Sequence, residues 1–179
     1  IYKNRGRKFF HDFKLGFIRE QMAYNDTAND IFSNFLTNSY HSNYRLTKNL
    51  SSIKAKFQGF ISARIDQADS DYYNEVISQN VTSTFLKWEH EMNRFEYHFS
   101  LRQELLGVDL LPITPSFGIK KTLLKDDKWN TEFNFSKTNR IPSLNDRFWV
   151  PGGNPNLLPE NGFEIENNNR FIWWLFYFS

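Results

Sequence analysis

From Phe95 onward the chain alternates between apolar and polar side chains: Phe95, Tyr97, Phe99 and Leu101 against Glu96, His98, Ser100, Arg102 and Glu104. A second run sets Trp129, Thr131, Phe133 and Phe135 against Asn130, Glu132, Asn134, Ser136 and Thr138. A third sets Ile53, Ala55, Phe57, Gly59, Ile61, Ala63 and Ile65 against Lys54, Lys56, Gln58, Ser62 and Arg64. Successive side chains of a strand point to opposite faces, so a period of two sustained for about ten residues predicts extended strands with one apolar and one polar face. Helical spacing would set Glu96 and His98 among the phenylalanines. Fainter alternation over residues 12–22, 34–46, 80–90, 115–124 and 160–170 brings the expectation to about eight antiparallel strands.

Composition decides what the apolar face meets. Aromatic residues make up 18% of the 179 residues, yet only 40% of the chain is hydrophobic and the mean hydropathy is −0.61. A soluble core built from Leu, Ile and Val does not give that combination. An all-β, up-and-down transmembrane barrel does, because only alternate residues meet lipid, the others face a polar lumen, and aromatic girdles mark the interfaces. No apolar stretch approaches the roughly 18 residues that a spanning helix needs. The longest, residues 171–178, is apolar on both faces, and 171–179 reads as an atypical or truncated tail of a single region covering 1–179. A net charge of +2, from 22 basic and 20 acidic residues, gives no case for nucleic acid. Without cysteine there is no disulfide framework and no thiolate metal site. Residues 1–7 are basic but lack the apolar core of an export signal, and the chain is expected to be a fragment or a processed piece, a partial wall of a larger barrel.

The expected connections alternate in length. Residues 47–52, 91–93 and 125–128 form short ones, and 23–33, 66–79, 105–114 and 141–159 long ones. Outer-membrane barrels have short periplasmic turns and longer extracellular loops, which orients the strands ending near Arg64, Glu104 and Arg140 outward. All six prolines fall between Pro112 and Pro159, in or beside the last two long connections, as expected of a residue that cannot donate to a ladder.

Residues 139–160 read NRIPSLNDRFWVPGGNPNLLPE. Pro142, Pro151, Pro155 and Pro159, with Gly152 and Gly153, stiffen a loop that would otherwise be mobile, and Asn145, Asp146 and Asn154 suit side-chain turns onto their own backbone. Phe148 and Trp149 are expected at an outer aromatic girdle or facing a solute. The segment resembles the barrel signature RxPSLNDLYWxPGGNPxLxPE of TonB-dependent outer-membrane receptors. It matches at Arg140, Pro142, Ser143, Leu144, Asn145, Asp146, Trp149, Pro151, Gly152, Gly153, Asn154, Pro155, Leu157, Pro159 and Glu160, with Phe148 at an aromatic position. Upstream, Arg102-Gln103-Glu104, Pro112 and Thr114-Pro115-Ser116-Phe117-Gly118 resemble the RxE and PxxPSxG strand pair of such receptors. The P-G-G-N-P ending is most similar to the cobalamin-receptor-like branch.

The resemblance implies a plugged barrel of about 22 strands in the bacterial outer membrane. It imports a scarce solute, a metal chelate (siderophore) or a cobalamin-like compound, and is driven by the TonB complex through a plug domain that this sequence lacks. It implies no cofactor. On that basis Asn145, Asp146, Arg147, Phe148 and Trp149 are candidate substrate contacts in an outer loop. Arg140, Pro142, Ser143, Leu144, Pro151, Gly152, Gly153, Asn154, Pro155, Pro159 and Glu160 are the structural frame of that loop.

Other constellations are less informative. Asp66, Asp69 and Asp71 could collect a hard cation, but their spacing fits no calcium loop. The four histidines, His11, His41, His90 and His98, share no ligand spacing. Lys54, Lys56, Arg64, Arg102, Lys120 and Arg140 are expected on lumen faces among Glu96, Glu104 and Glu132, pairing with a plug. No nucleophile motif, phosphate loop or supported carboxylate pair is present, so an enzyme is not expected. The alternatives are a small eight-stranded anchor barrel and a soluble all-β module whose aromatics stack on sugars.

Overall fold

The computed structural model describes residues 2–5, 9–28, 31–123, 129–150 and 152–171. They form one antiparallel sheet built from β1 (Tyr2–Arg5), β2 (Phe10–Asp26), β3 (Ile31–Leu50), β4 (Ala55–Ser70), β5 (Ile77–Met92), β6 (Phe95–Leu106), β7 (Asp109–Leu110), β8 (Thr114–Thr122), β9 (Trp129–Arg140) and β10 (Glu160–Phe171). Nine strands succeed one another in up-and-down order and the two-residue β7 pairs with β6 alongside the path. The eight long strands are those expected from the alternation. The sheet is not closed, β1 and β10 lie at its two edges, and the whole is a partial barrel wall. Among the described residues one α-helix, α1 (Leu144–Phe148), sits in the connection between β9 and β10. The rim that carries this connection is termed the upper rim.

The ladders place the alternating residues as their period requires. Phe99 pairs with Phe117 and Phe117 with Phe135, while Tyr97 pairs with Ile119 and Ile119 with Phe133. Directly opposed residues share a face, so the aromatic runs around Phe95 and Phe133 lie on one surface. Its side chains are open: Leu15 is 71% exposed, Phe99 48%, Phe133 43% and Phe163 72%. Phe57 is half-buried. The opposite surface is the covered one. Asp12, Ser33, Asp66, Ser70, Gln79, Ser83, Ser100, Glu104, Thr114 and Asn130 are all buried, and the register puts all ten on the polar face. Among the described residues no large side chain is fully enclosed. This is the inverse of a soluble protein's distribution.

The sheet curls toward its polar face. His41 and Asn43 of β3 line one cleft together with Asn139 and Ile141 at the end of β9, five strands further along the path. At about 4.8 Å per strand a flat sheet would hold them roughly 24 Å apart.

Four expectations about boundaries are corrected. Residues 23–33 are not a long loop: β2 runs to Asp26 and β3 starts at Ile31. Residues 66–79 likewise shrink to a connection of 71–76, and 105–114 contain β7. The strand expected from Ile53 starts at Ala55, because Ser51–Ile53 form a 3₁₀ turn that Lys54 ends in the left-handed conformation, at φ 48°. Paired backbone continues where the hydropathy contrast stops, since strands above the apolar band have polar residues on both faces. Residues 125–128 and 172–179 lie outside the described residues.

Candidate functional site

The connection 141–159 does not stand away from the sheet. It opens with a capping box, in which the Ser143 hydroxyl accepts from the Asp146 amide at 3.1 Å and the Asp146 carboxylate accepts from the Ser143 amide at 2.9 Å. Two groups that would otherwise be unsatisfied at a helix start are thereby paired. Arg140, at the top of β9, reaches Glu160 at 3.3 Å and Asp146 at 3.9 Å, so three of the signature residues converge where the loop leaves and rejoins the sheet. Arg147 donates twice to the Pro155 carbonyl, at 3.3 and 3.2 Å, and lies over the Phe148 ring at 4.9 Å. The Asn154 amide donates to the Asp146 carbonyl at 3.0 Å. Gly153 packs under this turn, where a Cβ would come within 2.6 Å of the Trp149 backbone nitrogen, whereas one at Gly152 would meet nothing within 4 Å. Pro142 is buried, and Pro151 falls outside the described residues.

The Ser143 amide, and after it the Ser143 side chain, holds the Asp146 carboxyl below its ordinary pKa, with a smaller contribution from Arg140. A depressed folded-state pKa means that the contribution is present above the ordinary aspartate range and lost as pH falls through the lowered value. We therefore expect the protection factor of the Ser143 amide, which donates to the Asp146 carboxylate, to be high at neutral pH and to fall only below about pH 4, the unperturbed aspartate range. Asp146→Ala should show the low protection at every pH.

Having folded back on itself, the loop crosses the polar face and grips the far side of the sheet. Trp149 stacks on Tyr72, with ring centroids 4.3 Å apart and an interplanar angle of 11°, and on Phe35 of β3 at 5.6 Å and 19°. Tyr73 meets Phe35 edge-on at 6.4 Å and donates its hydroxyl to the Asn145 side-chain oxygen. The Val150 amide donates to the Tyr72 carbonyl at 2.9 Å, and Arg147 donates to Gln79 of β5 at 3.2 Å. Burial raises the Tyr73 pKa, which keeps its hydroxyl a donor. Beneath the loop is a cavity of about 590 Å³ whose walls are Ser143, Leu144 and Asn145 on one side and Glu20, Met22, Phe35, Thr37, Arg64 and Asp66 on the other.

Of the five candidate contacts, Asn145 alone lines this cavity; Asp146, Arg147 and Trp149 hold the loop in place, and Phe148 supports Arg147. Trp149 is inside, on the polar face, and not on an outer girdle. Sequence reasoning missed Phe35, Tyr72 and Tyr73. Their one signal was an aromatic pair, Tyr72-Tyr73, within an otherwise polar, acidic stretch.

Lower on the polar face, each cation expected to meet a plug already has a carboxylate in the wall. Lys54 pairs with Glu91 at 2.8 Å, Lys56 with Glu89 at 3.1 Å, Arg64 with Asp66 at 2.8 Å, Arg102 with Glu104 at 2.8 Å and Lys120 with Glu96 at 3.0 Å. The aspartates near the second connection do not converge. Asp66 is buried on the polar face and accepts from Ser39 at 2.7 Å, Asp69 lies on the other face, and Asp71 accepts from the Asn34 amide at 2.8 Å.

No family model matches the sequence, and no curated protein matches it. Among solved structures, the fold is similar to that of the siderophore receptor PirA from Pseudomonas aeruginosa, with a TM-score of 0.61 at 16% identity over 92% of this chain. The chain spans 39% of that receptor's length. The shared property is the barrel-wall fold.

Proposed function

We propose that this chain is a wall segment of a TonB-dependent receptor of the bacterial outer membrane, taking up a scarce solute of the metal-chelate class. The observation that carries the reading is the inverted sheet, with its exposed aromatic surface and covered polar one, crossed by an inward-folded loop with the receptor signature. On β4 the apolar face runs from Ala55 to Ile65. Ten steps of about 3.4 Å give roughly 34 Å along the strand, or roughly 26 Å of height at a tilt of about 40°, which fits the apolar band of an outer-membrane barrel. The lower rim of that face carries Trp88, Tyr97 and Trp129, the last edge-on to Phe171 at 5.9 Å, with Lys48 over Phe9 at 5.1 Å and Lys121 over Phe95 at 5.2 Å. Aromatic rings backed by amines suit the membrane–water interface.

The solute enters at the upper rim, against Asn145 and Leu144, and the wall acts by binding and shape, without a catalytic step. A chelate fits this reading better than a cobalamin-like compound, because the structural similarity is to a siderophore receptor. An eight-stranded anchor barrel fits poorly: such a barrel has room inside for little more than its own side chains, whereas this polar face holds α1 and the cavity beneath it.

The test is fractionation of cells making the protein, followed by growth with a ferric siderophore as sole iron source. Recovery in the outer membrane with growth that depends on the protein supports the reading. Soluble, monodisperse protein without detergent would instead favour the carbohydrate-binding module.

A further inference from the structure

At mid-height the polar face is interrupted by an aromatic row. At its centre the neighbouring rows are polar, Ser62 opposite Ser83 above and Gln58 opposite Lys87 below. Between them the row reads Arg45, Phe60, Phe85 and Arg102 across β3, β4, β5 and β6, so two phenyl rings sit directly opposite one another with a guanidinium at each end. Both arginines lean inward. The Arg45 guanidinium carbon lies 5.9 Å from the Phe60 ring centroid, and Arg102 Nε donates to the Ser83 hydroxyl beside Phe85 at 3.1 Å. Arg102 is neutralised by Glu104. Arg45 makes no ion pair among the described residues, although Asp12 lies opposite it on β2. The row therefore offers two aromatic surfaces and one guanidinium without a direct ion pair among the described residues, in a cleft of about 440 Å³. That size is in the range of small-molecule sites.

We propose that this row binds an anionic aromatic group, a planar ring bearing a carboxylate, with the ring against Phe60 and Phe85 and the carboxylate on Arg45. A guanidinium presents two parallel donors that match a carboxylate, and offset stacking on phenyl rings favours an aromatic over a saturated ring. The site lies about halfway down the wall, below the rim cavity, and its chemistry does not depend on whether the protein transports anything.

Naphthalene-2-carboxylate titrated into the detergent-folded protein is expected to bind saturably at one site, with its neutral carboxamide about tenfold weaker, the scale of one charge-assisted hydrogen bond. Arg45→Gln should remove the preference for acid over amide, Arg45→Lys should retain part of it, and Phe60→Leu should weaken both ligands alike. Lys137→Gln, on the opposite face, should change neither. Absence of saturable binding overturns the proposal, and this includes the case in which an acidic segment of the polypeptide already fills the row. So does an acid preference that survives Arg45→Gln in protein that still migrates as a folded barrel. Probe binding without siderophore-dependent growth leaves the site standing and removes the receptor reading; growth without probe binding does the reverse.

Discussion

Phe133→Arg is expected to prevent assembly into lipid, while Asn134→Arg, one residue along the same strand, leaves assembly intact. Phe133 lies in a ladder with Ile119 and Tyr97 on the exposed apolar face. An arginine there must desolvate its charge within the hydrocarbon, at a cost of roughly 2–4 kcal/mol at the midplane. That is a large part of the stability of an ordinary fold. Asn134 points the other way, toward Glu132, to which its amide donates at 3.1 Å, so an added guanidinium gains a carboxylate neighbour. Folding into lipid vesicles, read by heat-modifiable migration on a gel, separates the two variants. Equal behaviour of the pair would remove the lipid-facing assignment of this surface.

Gly153→Ala is expected to release the rim loop, and Gly152→Ala to do nothing measurable. A methyl at 153 would meet the Trp149 nitrogen at 2.6 Å and the Arg147 carbonyl carbon and oxygen at 2.8 Å, all main-chain atoms that cannot step aside without unwinding the turn. Overpacking of this kind costs about 1–3 kcal/mol, and the first interaction at risk is the seating of Trp149 between Tyr72 and Phe35. Protease nicking within 141–159 of the folded protein should rise sharply for Gly153→Ala and match the parent for Gly152→Ala. The sequence pattern treats the two glycines as equivalent; only the close approach of the backbone separates them.

Period and contrast account for the part of the fold that is legible in the sequence. Phe95, Tyr97, Phe99 and Leu101 declare their face because each neighbour is polar, and the eight long strands emerge from the same arithmetic. The pairing of Ala23 with Asn34 and of Tyr24 with Ser33 left no such trace. Above the apolar band the β2–β3 ribbon mixes apolar and polar residues on both faces, Met22 and Phe35 on one and Phe32 and Leu36 on the other, so backbone hydrogen bonding persists without an alternating hydropathy signature. Phe60 and Phe85 were hidden for the opposite reason: each is an aromatic on the polar parity, visible only once the register sets them side by side. The contact of Trp149 with Tyr72 joins positions 77 residues apart and rests on the path of the loop, which no local pattern encodes. Asp146 was the exception, its side chain bonding nearby backbone as its place after Ser143 suggests.

The two edge strands carry a constraint on whatever completes the wall. β1 runs antiparallel to β2, directions alternate along the path, and β10 therefore runs the same way as β1. Joining these two edges, within one molecule or between two copies, would set parallel neighbours into an otherwise antiparallel cylinder. An antiparallel closure is satisfied only by an odd number of intervening strands, a condition that a barrel of about 22 strands meets.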